Sequence, residues 1–423
     1  MPYSNPFRHK KRLSLSDRLN RLQSSAEADP LPSFRAETGP LESLVAGRWV
    51  ESAGVRVFCV EEKIPVSAKH GSQELGPWRC GNYHGLSVVT KDERARTLTP
   101  EETFFFDTET TGLAGGSGTV AFMVGCVIYR DAHFILHQLF IEDYSGESLL
   151  LEILGELIGG AKHMVSFNGK SYDEELLRAR FRMHRMPSPF QKIVHLDLLH
   201  ASRRLWKDMF ADCRLGTLER LLFGIERDHD IPSAAIPQTY FDFLTSRNAE
   251  LVAPIFSHNR TDLLSLIALA VKLNDIAAFS DGEVAEKHSI GKIFYHLKDH
   301  EKALAWVEAS LATAGPKGGD PSLAKFYSVL LKSTGRYEDA VRLWKDLIEK
   351  RRMFDLFPYE ELAKYYEHRK KSISEALAVT EAALSHLGRE RRLFPSKAAG
   401  ETRDLHSRRD RLLRKQKNTS LHT

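Results

Sequence analysis

Cysteine is scarce in this 423-residue chain, and the four that occur, Cys59, Cys80, Cys126 and Cys213, stand far apart. No Cys-x-x-Cys pair and no neighbouring His spacing accompanies them, which argues against a zinc site or a disulfide framework and fits a reducing cytoplasm. Long apolar runs are missing as well: no segment approaches the ~18 uninterrupted apolar residues of a membrane span. The basic start, MPYSNPFRHKKRLSLSDRLNRL, has no apolar stretch behind it, so neither a signal peptide nor a membrane partner is expected. Nor does one sign of charge dominate. Lys and Arg number 60 against 56 Asp and Glu, and the net +4 is too small to establish a nucleic-acid partner by itself. Apolar residues (42%) and aromatics (9%) are plentiful, enough for a substantial core in a chain long enough for two or three domains.

Composition divides the chain. Residues 1–45 are polar, Ser- and Pro-containing and basic at the start, and read as a mobile arm with one amphipathic piece at SLSDRLNRL. Residues 46–100 carry β-like runs, VRVFCVEEKIPV and HGLSVV, and read as a β-rich extension whose packing the sequence leaves open. Residues 101–280 are periodic. TFFFD, GTVAFMVGCVIYR and HFILHQLFIED are apolar runs with short links, which predicts an antiparallel meander. ESLLLEILGELIGG has helical spacing and ends on paired glycines. KHMVSFN, SYDEELLRARFRMHR with Ser171 as candidate N-cap, and QKIVHLDLL follow as strand, helix and strand. The result is an α/β class, a mixed five-stranded sheet flanked by helices, in the element order of ribonuclease H-like folds. LGTLERLLFG, QTYFDFLTS and DLLSLIALAVKLNDIAAF read as further helices.

Residues 285–388 change character to helical pairs, an all-α region. Ala303, Ala340 and Ala376 recur at about 36 residues, near the ~34 of tetratricopeptide repeats, with Gly335 at a turn. The Arg- and Lys-rich stretch 389–423 reads as a basic tail, a solvated or frayed helix.

Chemistry concentrates at FFFDTETTG. Side chains alternate along a strand, so Asp107 and Glu109 share a face and Thr108 points away. Two like charges at a strand end are unfavourable without a positive group between them, and a divalent metal is the usual solution. An exposed acidic strand end is the alternative, but three preceding phenylalanines make the strand central. Asp173 opens the helix after the fourth strand, and Asn168 ends that strand. In SHNRTDLLSL, His258 and Asp262 are four apart and share a helix face.

DTETTG, then Asn-x-x-x-Tyr-Asp at 168–173, then His-x-x-x-Asp at 258–262 resembles the DEDD superfamily of 3′–5′ exonucleases within the ribonuclease H-like fold. FFFDTETTGLAGGSGT, with DLLHASRRLW and DCRLGTLERLLFG downstream, is similar to bacterial YprB-like ribonuclease H-like proteins, which often carry tetratricopeptide-like repeats behind the nuclease domain. The resemblance covers roughly residues 46–280 well and the repeats loosely. It implies two divalent ions, Mg²⁺ or Mn²⁺, held by Asp107, Glu109, Asp173 and Asp262, with His258 as general base and Glu109 also catalytic. It further implies that Thr110, Thr111, Gly112, Leu113, Asn168, Arg203 and Arg204 meet the nucleic acid, a single-stranded 3′ end. One departure stands out: the family's histidine subgroup places its base five positions before the last Asp and its tyrosine subgroup four. This chain has His at the tyrosine spacing, a rotation of about 100° on the helix.

Other features point elsewhere. Gly115, Gly116 and Gly118 follow a strand, but no Gly-Lys-Ser/Thr comes next, so a tight turn is expected and no nucleotide cofactor. Asp197 ends the fifth strand and either approaches the site or, the commoner role, caps the following helix. Arg203, Arg204, Trp206, Lys207 and Arg214 mix charge and aromaticity as single-strand binders do and, equally, as an ordinary amphipathic surface does. His163, His195 and His200 lack ligand spacing and read as packing or surface residues. The favoured reading is a metal-dependent 3′–5′ exonuclease whose repeats bind a protein partner. The competing ones are a nucleic-acid-binding adaptor and a structure-specific endonuclease. Four convergent carboxylates favour an enzyme, because without metal they repel an anionic ligand. Nothing in the sequence separates RNA from DNA.

Overall fold

The computed structural model describes residues 39–112, 118–227, 230–277, 284–314, 321–350, 355–393 and 399–420. Residues 1–38 of the expected arm lie outside them. The chain divides into two compact units, Met1–Gly282 and Glu283–Thr423.

The first unit is built on one sheet. Its strands are β1 (Arg48–Ser52), β2 (Val55–Pro65), β3 (Thr103–Thr110), β4 (Ala121–Arg130), β5 (His133–Phe140), β6 (His163–Ser166) and β7 (Val194–Asp197), in the order β1-β2-β5-β4-β3-β6-β7. The meander β3-β4-β5 is antiparallel, while β6 and β7 run parallel to β3. The five expected strands are therefore present in a mixed sheet. The sheet is wider than expected because β2 pairs with β5 from Phe58↔Phe140 to Pro65↔His133, and β1 pairs with β2. The extension is thus part of the same sheet, and its buried Val57, Phe58 and Cys59 join the core. Phe104, Phe105 and Phe106 are fully buried, as expected of an interior strand lying between β4 and β6. Because β3, β6 and β7 are parallel, their carboxyl ends lie side by side, and ligands in such sheets bind outside those ends.

Helices cover the sheet: α1 (His84–Thr90), α2 (Glu147–Leu157), α3 (Asp173–Met183), α4 (Leu198–Trp206), α5 (Ile236–Ser246) and α6 (Ala249–Ala277). Ser171 does not cap α3; the helix opens at Asp173 after Tyr172, with no side-chain cap. HGLSVV, expected as a strand, is α1. Its Leu86, Val88 and Val89 are buried, and the helix lies so close to α6 that a Cβ on Gly85 would stand 1.9 Å from the Asn274 carbonyl oxygen. Asn274 also accepts from the Leu86 amide at 3.1 Å. Packing against α6 overrides the β preference of the two valines.

The second unit is helical: α7 (Val284–His296), α8 (His300–Ala314), α9 (Pro321–Ser333), α10 (Tyr337–Lys350), α11 (Leu356–Lys364), α12 (Ile373–Leu393) and α13 (Ala399–Ser420), with neighbours in sequence packed on one another. Ala303, Ala340 and Ala376 are fully buried, and Gly335 turns the chain at φ +78°. The basic stretch differs from a solvated tail. In α13, Leu405 packs with Tyr359, Ala383 and Leu387, and Leu412 is buried. The Glu367 side chain, fully buried, accepts from Arg411 and Lys415 at 2.8 Å each. A buried carboxylate needs cations beside it, and α13 supplies them. Among the described residues no helix is long and apolar enough to cross a membrane.

Gly85 yields a stability test. Alanine in an exposed helix interior is worth about 1 kcal/mol over glycine, but here the methyl would force α1 away from α6. Gly85→Ala is expected to lower unfolding free energy by about 2–3 kcal/mol. Urea unfolding at equal or higher midpoint would contradict the close α1–α6 approach.

Candidate active site

Asp107 sits in the carboxyl half of β3, directly opposite Gly125 of β4. A Cβ on Gly125 would lie 2.2 Å from Asn259 Oδ1, so glycine lets the Asn259 amide of α6 rest on the sheet. There its Nδ2 donates to Asp107 Oδ2 at 2.8 Å, and its Oδ1 accepts from Gln138 Nε2 at 3.0 Å. Asn259 and Gln138 are both buried, so every polar atom named is matched where water is excluded.

Asp173 arrives from the start of α3. Thr108, expected to point away from the acids, donates its hydroxyl to Asp173 Oδ1. The loop before α3 is drawn tight: Asn168 adopts φ +64°, and a Cβ on Gly169 would be 2.6 Å from Ser166 Oγ and 3.0 Å from Asp173 Oδ2. Asp197 holds that loop, accepting from the amides of Asn168 at 2.9 Å and Lys170 at 3.3 Å while capping α4 through Leu199 at 3.0 Å.

His258 and Asp262 lie on one face of α6, as their spacing predicts. His258 Nε2 is 3.7 Å from Asp262 Oδ2, 4.0 Å from Glu109 Oε1 and 3.4 Å from Ser233 Oγ. Its Nδ1 is 2.8 and 2.9 Å from the two oxygens of Asp230. An ionised carboxylate only accepts, so this contact places the proton on Nδ1 and leaves the Nε2 lone pair facing Glu109 and Asp262. Arg227 donates to Asp262 Oδ1, to Asp230 Oδ2 at 3.0 Å and, from two nitrogens, to Glu219.

Burial raises the proton affinity of all four acids, and for Asp107 and Glu109 the charges of neighbouring acids add to it. Asp107 is pushed well above the usual carboxylate range, first by burial and then by the charges of Asp262, Glu109 and Asp173. Glu109 is raised likewise, by burial and then by Asp262, Asp173 and Asp230. Burial also raises Asp262, with Arg227 and His258 opposing. Asp173 is pushed up to about 6, mainly by burial, against the Thr108 hydrogen bond. As they stand, among the described residues, no three Asp, Glu, His or Cys side chains converge closely enough to hold a metal ion. Asn259, Thr108 and Arg227 each hold one acid by a donated hydrogen. The donor chemistry nonetheless fits Mg²⁺ or Mn²⁺: hard carboxylate oxygens, partly buried and mutually repelling.

Asp107, Asp262, His258 and Arg227 line a cleft of about 800 Å³, together with Asn168, Arg203, Arg214, Asp230 and Ser233. Not every residue expected to meet substrate is there. Arg204, one position along α4 from exposed Arg203, turns away and donates to the Val89 carbonyl at 2.7 Å. Thr110 is buried, donating to the Gly112 carbonyl at 3.0 Å, and Thr111 exchanges hydrogen bonds with the Val120 backbone at 3.0 Å. Thr110, Thr111 and Gly112 thus brace the β3–β4 connection. Leu113, Gly115 and Gly116 lie outside the described residues. Of the expected structural histidines, His195 is buried between Ser166 and Glu174, and His163 is bonded to Thr97. Sequence reading missed Asn259, Gly125, Glu219, Arg227 and Asp230. Only Asn259 carried a signal, one helical turn before Asp262.

The RNase H superfamily model matches residues 104–274, a span that includes all four acids and His258. The protein YprB of Bacillus subtilis strain 168 is 30% identical over 383 residues, covering 86% of this chain and 89% of YprB.

A carboxyl whose pKa is higher in the folded than the unfolded state keeps a proton that the unfolded chain releases. Its contribution to stability is present at low pH and lost as pH rises. For Asp173 the loss runs from about 4, the ordinary value, to about 6. In EDTA, Asp173→Asn is therefore expected to be the more stable protein at pH 7, by about 1–3 kcal/mol, with the advantage shrinking toward pH 4. Thermal unfolding across pH 4–8 checks it; equal stability throughout would mean that the acid is not held under strain.

Proposed function

This chain belongs to the RNase H superfamily, in one family with YprB, and from that premise we propose that it is a metal-dependent nuclease. The finer reading is a 3′–5′ exonuclease on single-stranded ends of RNA or DNA. One observation carries it: Asp107 of β3 and Asp262 of α6 line one cleft with Asp230 and His258, and His258 Nε2 faces Asp262 and the neighbouring Glu109. Two Mg²⁺ or Mn²⁺ ions held by Asp107, Glu109, Asp173 and Asp262 would supply Lewis acidity and the charge that admits a phosphodiester.

The chain's own residues do the rest. His258 accepts at Nε2 the proton of the attacking water, and Asp230 holds Nδ1–H so that the ring presents the correct nitrogen. At the four-residue spacing Nε2 already lies between Glu109 and Asp262, so the tyrosine-like position serves a histidine base. Asn168 and exposed Arg203 on the cleft wall meet the strand. The helical unit, with its tetratricopeptide-like pairs, is assigned to a protein partner. A non-catalytic nucleic-acid holder is the second reading, favoured by Arg227 already donating to Asp262.

End-labelled single- and double-stranded oligonucleotides of RNA and DNA decide between them. With Mn²⁺ or Mg²⁺ the 5′-labelled single strand is expected to shorten stepwise, and EDTA or Asp107→Asn to stop it. Internal cuts would replace the exonuclease by an endonuclease, and no cleavage under any condition would leave the holder. His258→Ala is expected to lower kcat by ~10²-fold or more with little change in binding. Near-normal turnover in that variant would make His258 structural.

A further inference from the structure

We propose that Glu219 and Arg227 are positioning residues for this site, a pair of a buried carboxylate and a partly buried guanidinium that sets the places of Asp262 and of the Asp230–His258 couple. The inference rests on the nuclease reading for its purpose and on geometry for its content. Glu219 lies on a π-helical turn, Glu219–Phe223, and its side chain is fully buried. Its oxygens take Arg227 Nε at 2.6 Å and Nη2 at 2.5 Å, and Oε1 also accepts the Ser265 hydroxyl. A guanidinium gripped at two nitrogens has fixed directions for its remaining hydrogens. Those hydrogens go to Asp262 Oδ1 and Asp230 Oδ2.

Arg227 has five N–H groups. Four are spent on Glu219, Asp262 and Asp230, and Nη1 also lies 3.4 Å from His258 Nδ1. Little is left for a phosphate, so the residue acts through its neighbours. The anchor reaches beyond the stretch that matches the superfamily. His70 Nε2 is 2.7 Å from Ser265 Oγ, and the Ser72 amide donates at 2.9 Å to the carbonyl of Phe223, on the turn that carries Glu219. Gly71, at φ +56°, lets the backbones meet there, because a Cβ would be 2.3 Å from that carbonyl oxygen. The extension before β3 therefore buttresses the site from behind.

A single substitution that strands a buried charge disturbs the fold as well as the site, so the decisive variant removes both charges. Glu219→Gln/Arg227→Met leaves no stranded charge at position 219 and keeps the net charge of the site. If Arg227 served only to neutralise Glu219, this double variant would turn over like the wild type, and that result overturns the proposal. The expected result is a kcat reduced ~10- to 100-fold, as for loss of a group that orients a ligand or base, with KM within about threefold, equal to the loss in Arg227→Met alone. A second readout needs no activity: ¹⁵N spectra of the His258 ring in metal-free full-length protein. The wild type is expected to show the Nδ1–H tautomer, and both variants a mixture. An unchanged ring spectrum in Arg227→Met would also overturn the proposal. Absence of cleavage by the wild type would end the nuclease reading, while the ring spectrum would still judge the positioning pair.

Discussion

Mutual repulsion among carboxylates at the carboxyl end of β3 is the constraint around which the first unit is arranged. Asp107, Glu109, Asp173 and Asp262 all have raised proton affinity, with burial as the largest cause and, for Asp107 and Glu109, one another's charges next. Asn259, Thr108 and Arg227 answer that constraint with donated hydrogens. Asn259 reaches Asp107 only because Gly125 lacks a side chain, and Thr108 turns its hydroxyl to Asp173. The parallel run of β3, β6 and β7 brings the acids together, and α6, anchored against α1 at Gly85, supplies Asn259, His258 and Asp262 from above.

The sheet and the acids were legible because their signals are local. FFF before Asp107 marks a buried strand, and the four-residue step from His258 to Asp262 marks a shared helix face. What escaped depends on contacts distant in sequence. HGLSVV has strand-like composition, yet it meets α6 at Asn274, and only that meeting explains the glycine in its first turn. Arg227 and Asp230 sit in a run of charges, ERDHD, that reads as solvated surface until Glu219 is known to be buried. Arg203 and Arg204 illustrate the limit of composition: adjacent arginines on one helix are about 100° apart, so one walls the cleft and the other bonds Val89. In α13 the same error runs the other way, because basic residues that look solvated serve a buried glutamate.

The role of Arg227 bears on whether the acid cluster is idle or waiting. A fixed guanidinium beside Asp262 looks at first like a substitute for a metal, which would favour a passive holder of nucleic acid. Charge balance argues otherwise. Glu219, gripped at two nitrogens and shut away from water, already cancels the arginine's charge, so the pair as a whole is neutral. It offers Asp262 and Asp230 directed hydrogens and opposes the rise in proton affinity of Asp262 and Glu109, yet both stay raised, so the repulsion is relieved only in part. A phosphodiester held by Arg203 and Arg214 on the wall of that cleft would still meet Asp107 and Asp262 in a partly buried site, where interactions between charges are several times stronger than in water. Such a site is suited to an anionic substrate only when divalent cations come with it, and this is the physical reason for preferring a metal-dependent nuclease over a holder.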